Sequence, residues 1–138
     1  MSYSDHYLEN RVLSASPVEL VRMVYHAALE ATAAARKHFA AGDIAARTRS
    51  LNHAAELVTE LVTSLECPPD PEGAKLENNL RKLYDYVLHQ LAQAAIEQSP
   101  LPLDPADQVL RELLEGWHAI EKNPVQQPES HAAISVSA

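Results

Sequence analysis

The 138-residue chain has one cysteine, three glycines, one phenylalanine and one tryptophan. Each scarcity excludes something. A lone thiol at Cys67 rules out a disulfide framework within the chain and suits a reduced compartment. Three glycines leave no glycine-rich phosphate loop, and nowhere do apolar and polar residues alternate between glycine-rich turns, so strands are not expected. No apolar run approaches the roughly 18 residues of a membrane span. The opening MSYSDHYLENR lacks the basic and apolar regions of a signal peptide, so a cytoplasmic location is expected. Basic residues are also few, 11 Lys and Arg against 19 Asp and Glu, for a net charge of −8. No stretch clusters Lys and Arg with aromatics, which argues against a nucleic acid as partner.

Proline is present but confined. Pro17, Pro68, Pro69, Pro71, Pro100, Pro102, Pro105, Pro124 and Pro128 all fall outside the long apolar-periodic stretches. Four uninterrupted helices are left, about 17–41, 44–65, 74–98 and 105–121. Ser16, Pro17 and Glu19 form a capping box with proline at the first helical position. Gly42 reads as a C-terminal stop and Asp43 as the cap of the second helix, giving an antiparallel hairpin. ECPPDPEG and SPLPL break the chain, and Asp104 with Pro105 reads as the start of the fourth helix. The fold class expected is all-α, an antiparallel four-helix bundle over 16–122. Residues 1–15 form a short arm in front of it. From Asn123 the sequence is polar and aperiodic and reads as a disordered tail, so truncation after Lys122 should cost neither stability nor binding. A chain of this length buries roughly two-thirds of its unfolded surface and needs no metal to fold.

The helices carry more apolar surface than one stripe needs. In the first, Leu20, Val24, Ala27, Ala31 and Ala34 read as the core stripe, with Val18, Val21, Tyr25 and Leu29 as a second. In the third, Leu76, Leu80, Leu83, Val87, Leu91 and Ala94 form one stripe, beside Tyr84, Leu88, Leu91 and Ala95, while Tyr86 points elsewhere. A wide core stripe accounts for this pattern as well as a groove lined by the first and third helices that receives another amphipathic helix.

Catalytic readings fare poorly. A di-iron carboxylate site in a bundle needs two Glu-x-x-His units, and only Glu115 and His118 supply one. There is no Cys-x-x-Cys, and Cys67 sits in an acidic, proline-rich loop that would raise its pKa. No catalytic residue, cofactor or metal ligand is assigned.

The stretch VLSASPVELVRMVYHAALEATAAARKHF resembles the opening of the flagellar secretion chaperones of the FliS family: a short arm, then an S-P-x-x-L helix start and a tyrosine, here Ser16, Pro17, Leu20 and Tyr25. NNLRKLYDYVLHQLAQA is similar to that family's third helix with its L-Y-x-Y core, and Trp117 falls where the family places a tryptophan. The resemblance covers about Tyr7 to Ile120. It implies a non-enzymatic cytoplasmic chaperone that binds the disordered C-terminal segment of flagellin, blocks premature polymerisation and hands it to the flagellar export apparatus. It leaves open whether the free chain self-associates weakly. The alternative is a bundle adaptor for another amphipathic helix, with a di-iron protein a distant third. On this reading Val18, Val21, Tyr25, Leu29, Leu80, Tyr84, Leu88 and Leu91 line the flagellin groove, and charges at Tyr25, Leu29, Tyr84 or Leu91 should weaken binding without loss of helicity. Tyr7, Leu8, Val12 and Leu13 form an N-terminal cap, either one that covers part of that groove and gives way to cargo or one that stays docked and completes the core. Two positions depart from the family pattern: His26 stands where an acid is common, and Ala95 where an asparagine is frequent.

Overall fold

The computed structural model describes residues 17–122, and within them four helices follow one another: α1 (Pro17–Ala41), α2 (Ile44–Thr63), α3 (Pro71–Glu97) and α4 (Leu103–Lys122). No strand occurs among the described residues. The all-α bundle is therefore as expected. The arm residues Tyr7, Leu8, Val12 and Leu13, the cap at Ser16 and the tail from Asn123 lie outside the described residues.

Helix ends show why the chain turns where it does. At the end of α1, Gly42 adopts φ 71°, and its N–H donates to the Phe39 carbonyl at 3.1 Å while Asp43 N–H donates to the His38 carbonyl at 3.0 Å. This paired closure takes up two carbonyls that the helix itself leaves without donors, and the positive φ favours glycine. Asp43 then caps α2, accepting from Ala46 N–H at 3.1 Å, so two residues reverse the chain. Asp70 caps α3 in the same way, accepting from Gly73 N–H at 2.7 Å, with Pro71 as the first helical residue. Helix α3 thus begins three residues earlier than the apolar periodicity suggests, because cap and proline set the start and the first turn carries no apolar stripe. Helix α4 begins at Leu103, so Asp104 is inside its first turn and not its cap; there it accepts from Arg36 at 2.9 Å. That pair is exposed on both sides and contributes at most about 1 kcal/mol.

The helices form a ring in chain order, α1 packing on α2 and α4, and α3 on α2 and α4. Short links force successive helices antiparallel, and α1 and α3 end up across the diagonal. The α1–α2 interface is the most extensive, as expected where alanines let two helices approach closely.

The core comprises Tyr25, Ala28, Leu29, Ala31 and Ala35 from α1; Leu51, Ala54, Val58 and Leu61 from α2; Leu80, Tyr84, Val87, Leu91 and Ala94 from α3; and Leu103, Ala106, Leu110, Leu114 and Trp117 from α4. Thr32, fully buried among them, satisfies its hydroxyl by donating to the Ala28 carbonyl at 2.9 Å. The two stripes assigned to α1 are therefore exchanged. Of Leu20, Val24, Ala27, Ala31 and Ala34 only Ala31 is buried, whereas Tyr25 and Leu29 point inward. Apolar spacing locates a stripe but not the axis it faces; the large residues take the bundle centre and the small ones line the close α1–α2 seam. On α3, Leu76 is 47% exposed, so it does not join the core stripe expected of it.

Gly116, in the middle of α4, is exposed, and a Cβ there would meet nothing within 4 Å. Gly116→Ala should therefore raise stability by about 0.5–1 kcal/mol through lower unfolded-state entropy, read as a higher midpoint in urea.

Candidate functional site: a binding seam on a hydrogen-bonded core

Three aromatic side chains tie the helices together at the centre. Tyr25 and Tyr84 hydroxyls lie 2.7 Å apart, and Trp117 Nε1–H donates to the Tyr25 oxygen at 3.2 Å. The two tyrosine rings are tilted at 48° with centroids 6.4 Å apart, within the range where aromatic pairs attract. Burial pushes the Tyr25 hydroxyl to a higher pKa, and its bonds to Tyr84 and Trp117 only partly oppose this. Burial pushes Tyr84 up further, and the neighbouring Tyr25 adds to it. Both are neutral phenols whose task is to satisfy each other inside an apolar core. Nothing in the arrangement activates a nucleophile.

That geometry relocates most of the groove residues inferred from sequence. Tyr25, Leu29, Leu80, Tyr84 and Leu91 are buried, and Val18, Val21 and Leu88 are half-buried. Helices on the diagonal share no outer surface, so the stripes of α1 and α3 meet in the core instead of lining a cleft. A charge at Tyr25, Leu29, Tyr84 or Leu91 would place an ion in that core, and loss of the fold is the expected outcome there, in place of the retained helicity inferred from sequence.

The unpartnered apolar surface lies elsewhere, and two sets of interactions locate it. On α3, Glu77 and Arg81 act electrostatically on Cys67 in the α2–α3 link, which marks their flank of the helix as the α2 side. At about 100° per residue, Leu88 shares that flank, and Leu76, Leu83 and Tyr86 fall on the opposite one, toward α4. On α4, Asp104 pairs with Arg36, and His118 accepts from Arg22 Nη1–H at 3.0 Å, so that flank faces α1. Val109, Leu113 and Gly116 lie on the other, toward α3. Leu76, Leu83 and Tyr86 are 47%, 37% and 43% exposed, and Val109 and Leu113 are half-buried against the core. The α3–α4 seam thus presents a ridge-and-groove surface of large apolar side chains. Periodicity alone assigns Leu76 and Leu83 to the core and leaves Tyr86 outside it; the i, i+7, i+10 spacing of the three is the signal that they share a flank.

Cys67 is half-buried, and its thiol is pushed up by burial and by Glu77, against a smaller opposite effect from Arg81. A thiol so placed is a weak nucleophile. Among the described residues no three His, Cys, Asp or Glu side chains gather into a group that could hold a metal, and no helix is long and apolar enough to cross a membrane.

The chain is thus an all-α four-helix bundle whose centre is closed by hydrogen-bonded aromatics and whose α3–α4 seam exposes large apolar side chains. Residues 1–124 match the family described as flagellar protein FliS, and the chain belongs to that family. It is 29% identical over 120 residues to the flagellar secretion chaperone FliS of Salmonella typhimurium, covering 86% of this chain and 87% of the relative. It is 25% identical over 119 residues to the flagellar secretion chaperone FliS of Vibrio cholerae, covering 86% and 85%. With the flagellar secretion chaperone FliSB of Pseudomonas aeruginosa the identity is 26% over 118 residues, covering 86% and 91%. FliS is a chaperone family, not an enzyme family.

Proposed function

We propose that this chain is a cytosolic export chaperone for flagellin: it binds the disordered C-terminal segment of flagellin, keeps it from polymerising and delivers it to the flagellar export apparatus. The observation that carries the reading is the exposed apolar flank of Leu76, Leu83 and Tyr86 beside Val109 and Leu113 in a chain of this family. A disordered amphipathic segment gains its affinity by covering such a surface as it orders, burying on the order of 1,000–3,000 Å² and losing part of the gain to ordering entropy. The half-buried Val18, Val21 and Leu88 extend the interface at the rim, and the buried Tyr25, Leu29, Leu80, Tyr84 and Leu91 support it from beneath.

The experiment is calorimetry of the full chain against flagellin with and without its last few tens of residues. Binding should require those residues. Leu83→Asp combined with Tyr86→Asp should weaken it by roughly a hundredfold, since an apolar side chain that is no longer covered by the partner forfeits about 1.5 kcal/mol or more. The circular dichroism should stay unchanged, because both positions are exposed. Equal binding to truncated flagellin, or wild-type affinity of the double variant, would sink the reading.

A further inference from the structure

Gly116 is a glycine that the fold itself does not require. It lies within α4, its φ is not positive, and a Cβ added to it would meet nothing within 4 Å. Glycine in a helix interior lowers stability relative to alanine, because more backbone freedom is lost on folding. The other two glycines of the described residues have internal reasons: Gly42 closes α1 with φ 71°, and Gly73 is crowded by Pro68. What sets Gly116 apart is the surface it belongs to.

The aromatic network fixes its level in the bundle. The Tyr25 hydroxyl is bonded both to Tyr84 on α3 and to Trp117 on α4, so those two residues stand at about the same height of the antiparallel pair. Leu83 and Tyr86 lie one and two residues from Tyr84, and Gly116 directly precedes Trp117. All three are exposed, on the flanks that α3 and α4 turn toward each other. Leu113 and Val109, three and seven residues before Gly116, raise the α4 wall of the seam, and at Gly116 it drops to bare backbone. The seam is therefore notched where α3 presents two large exposed apolar side chains.

We propose that Gly116 is a positioning residue of this seam: the notch over it receives one large apolar side chain of the docked segment, leucine or phenylalanine in kind, which packs between the α4 backbone and Leu83 and Tyr86. Its role rests on the flagellin reading, to which it adds the register of the bound segment. A smooth apolar surface accepts an apolar segment in many registers, whereas an anchor seated in a notch fixes one. Alanine at 116 fills the notch by one methyl and leucine fills it altogether, although both favour the helix itself.

Calorimetry of the full chain against the C-terminal segment of flagellin, with urea unfolding of the same variants, separates fold from binding. Gly116→Leu should weaken binding by roughly tenfold and Gly116→Ala by about threefold, the loss that overpacking a formed contact produces. Both should unfold at a higher urea concentration than the parent chain. The sign is diagnostic, since a leucine added to a featureless apolar surface would leave affinity unchanged or raise it. An alanine scan of the flagellin segment should find one large apolar residue whose truncation weakens binding to the parent chain and matters much less with Gly116→Leu. Parent-like or tighter binding by Gly116→Leu and Gly116→Ala, while the Leu83→Asp, Tyr86→Asp double variant still loses affinity, would overturn the notch and leave the flagellin reading standing. Absence of binding to the parent chain, or binding indifferent to that double variant, would overturn both. A lower urea midpoint for Gly116→Ala would show that the glycine serves the fold, and would overturn the proposal too.

Discussion

Tyr84→Ala should lower the stability of the bundle by about 3–5 kcal/mol, the usual cost of truncating a large buried aromatic. Tyr84 is 1% exposed and its hydroxyl is 2.7 Å from that of Tyr25. Truncation therefore opens a cavity at the centre of the ring and removes a hydrogen-bond partner together. The polar part can be separated from the cavity. Tyr25 accepts from Trp117 and also bonds Tyr84, so Tyr25→Phe leaves two buried groups, the Trp117 N–H and the Tyr84 hydroxyl, without their partner, whereas after Tyr84→Phe the Tyr25 hydroxyl still holds its bond from Trp117. At about 1–3 kcal/mol for each unsatisfied group, Tyr25→Phe should be the more damaging. Urea unfolding of both single variants and the double variant checks the order, and equal effects would show that the Trp117 bond contributes nothing.

The same network sets a pH dependence whose sign is fixed. Both phenols have pKa values raised in the folded state, chiefly by burial. A group raised in this way binds its proton more tightly when folded, so its contribution is complete below the unfolded tyrosine pKa near 10 and is lost as pH rises beyond it. Unfolding midpoints should fall above about pH 10, and the Tyr25→Phe, Tyr84→Phe double variant should flatten that fall.

The second large effect is expected at Gly73. A Cβ added there would sit 1.9 Å from the Pro68 carbonyl oxygen and 2.7 Å from its carbon. Those are backbone atoms and cannot rotate away. Gly73 is buried in the first turn of α3, where its N–H is the donor to the Asp70 cap. Alanine must therefore push back either the Pro68 segment or the start of the helix. Overpacking of this kind costs about 1–3 kcal/mol, and loss of the cap adds about 1 kcal/mol more. Gly73→Ala should thus destabilise by about 2–4 kcal/mol, although alanine is the better helix former. Displacement of the link should also speed the reaction of Cys67 with a thiol reagent. A stability equal to or above that of the parent, as expected for Gly116→Ala, would mean that the link yields without cost.

Gly73 also marks where the sequence stops being legible. ECPPDPEG announces a break, and the glycine reads as part of the loop. Its place inside α3, against Pro68, follows from how far the link folds back, and no local pattern encodes that distance. Leu76 and Leu83 are a similar case. They keep helical spacing with Leu80 and Val87, yet they sit at the edge of the stripe where α4 leaves them partly open.

What the amino-acid order determined by itself was local and periodic. Gly42 with Asp43 set the tight reversal, the proline positions kept four segments whole, and the apolar spacing made each of them an amphipathic helix. These features depend on backbone conformation, missing N–H groups and side chains a turn apart, all of which act within a few residues. The family resemblance too was readable from short motifs around Ser16, Tyr25 and Tyr84. Only the tertiary structure decided which stripe faces inward, because that depends on the ring order of the helices and on the sizes of side chains far apart in the chain. It brought Tyr25 and Tyr84 together across the diagonal, turned an expected groove into a hydrogen-bonded core, and left the apolar surface on the α3–α4 seam.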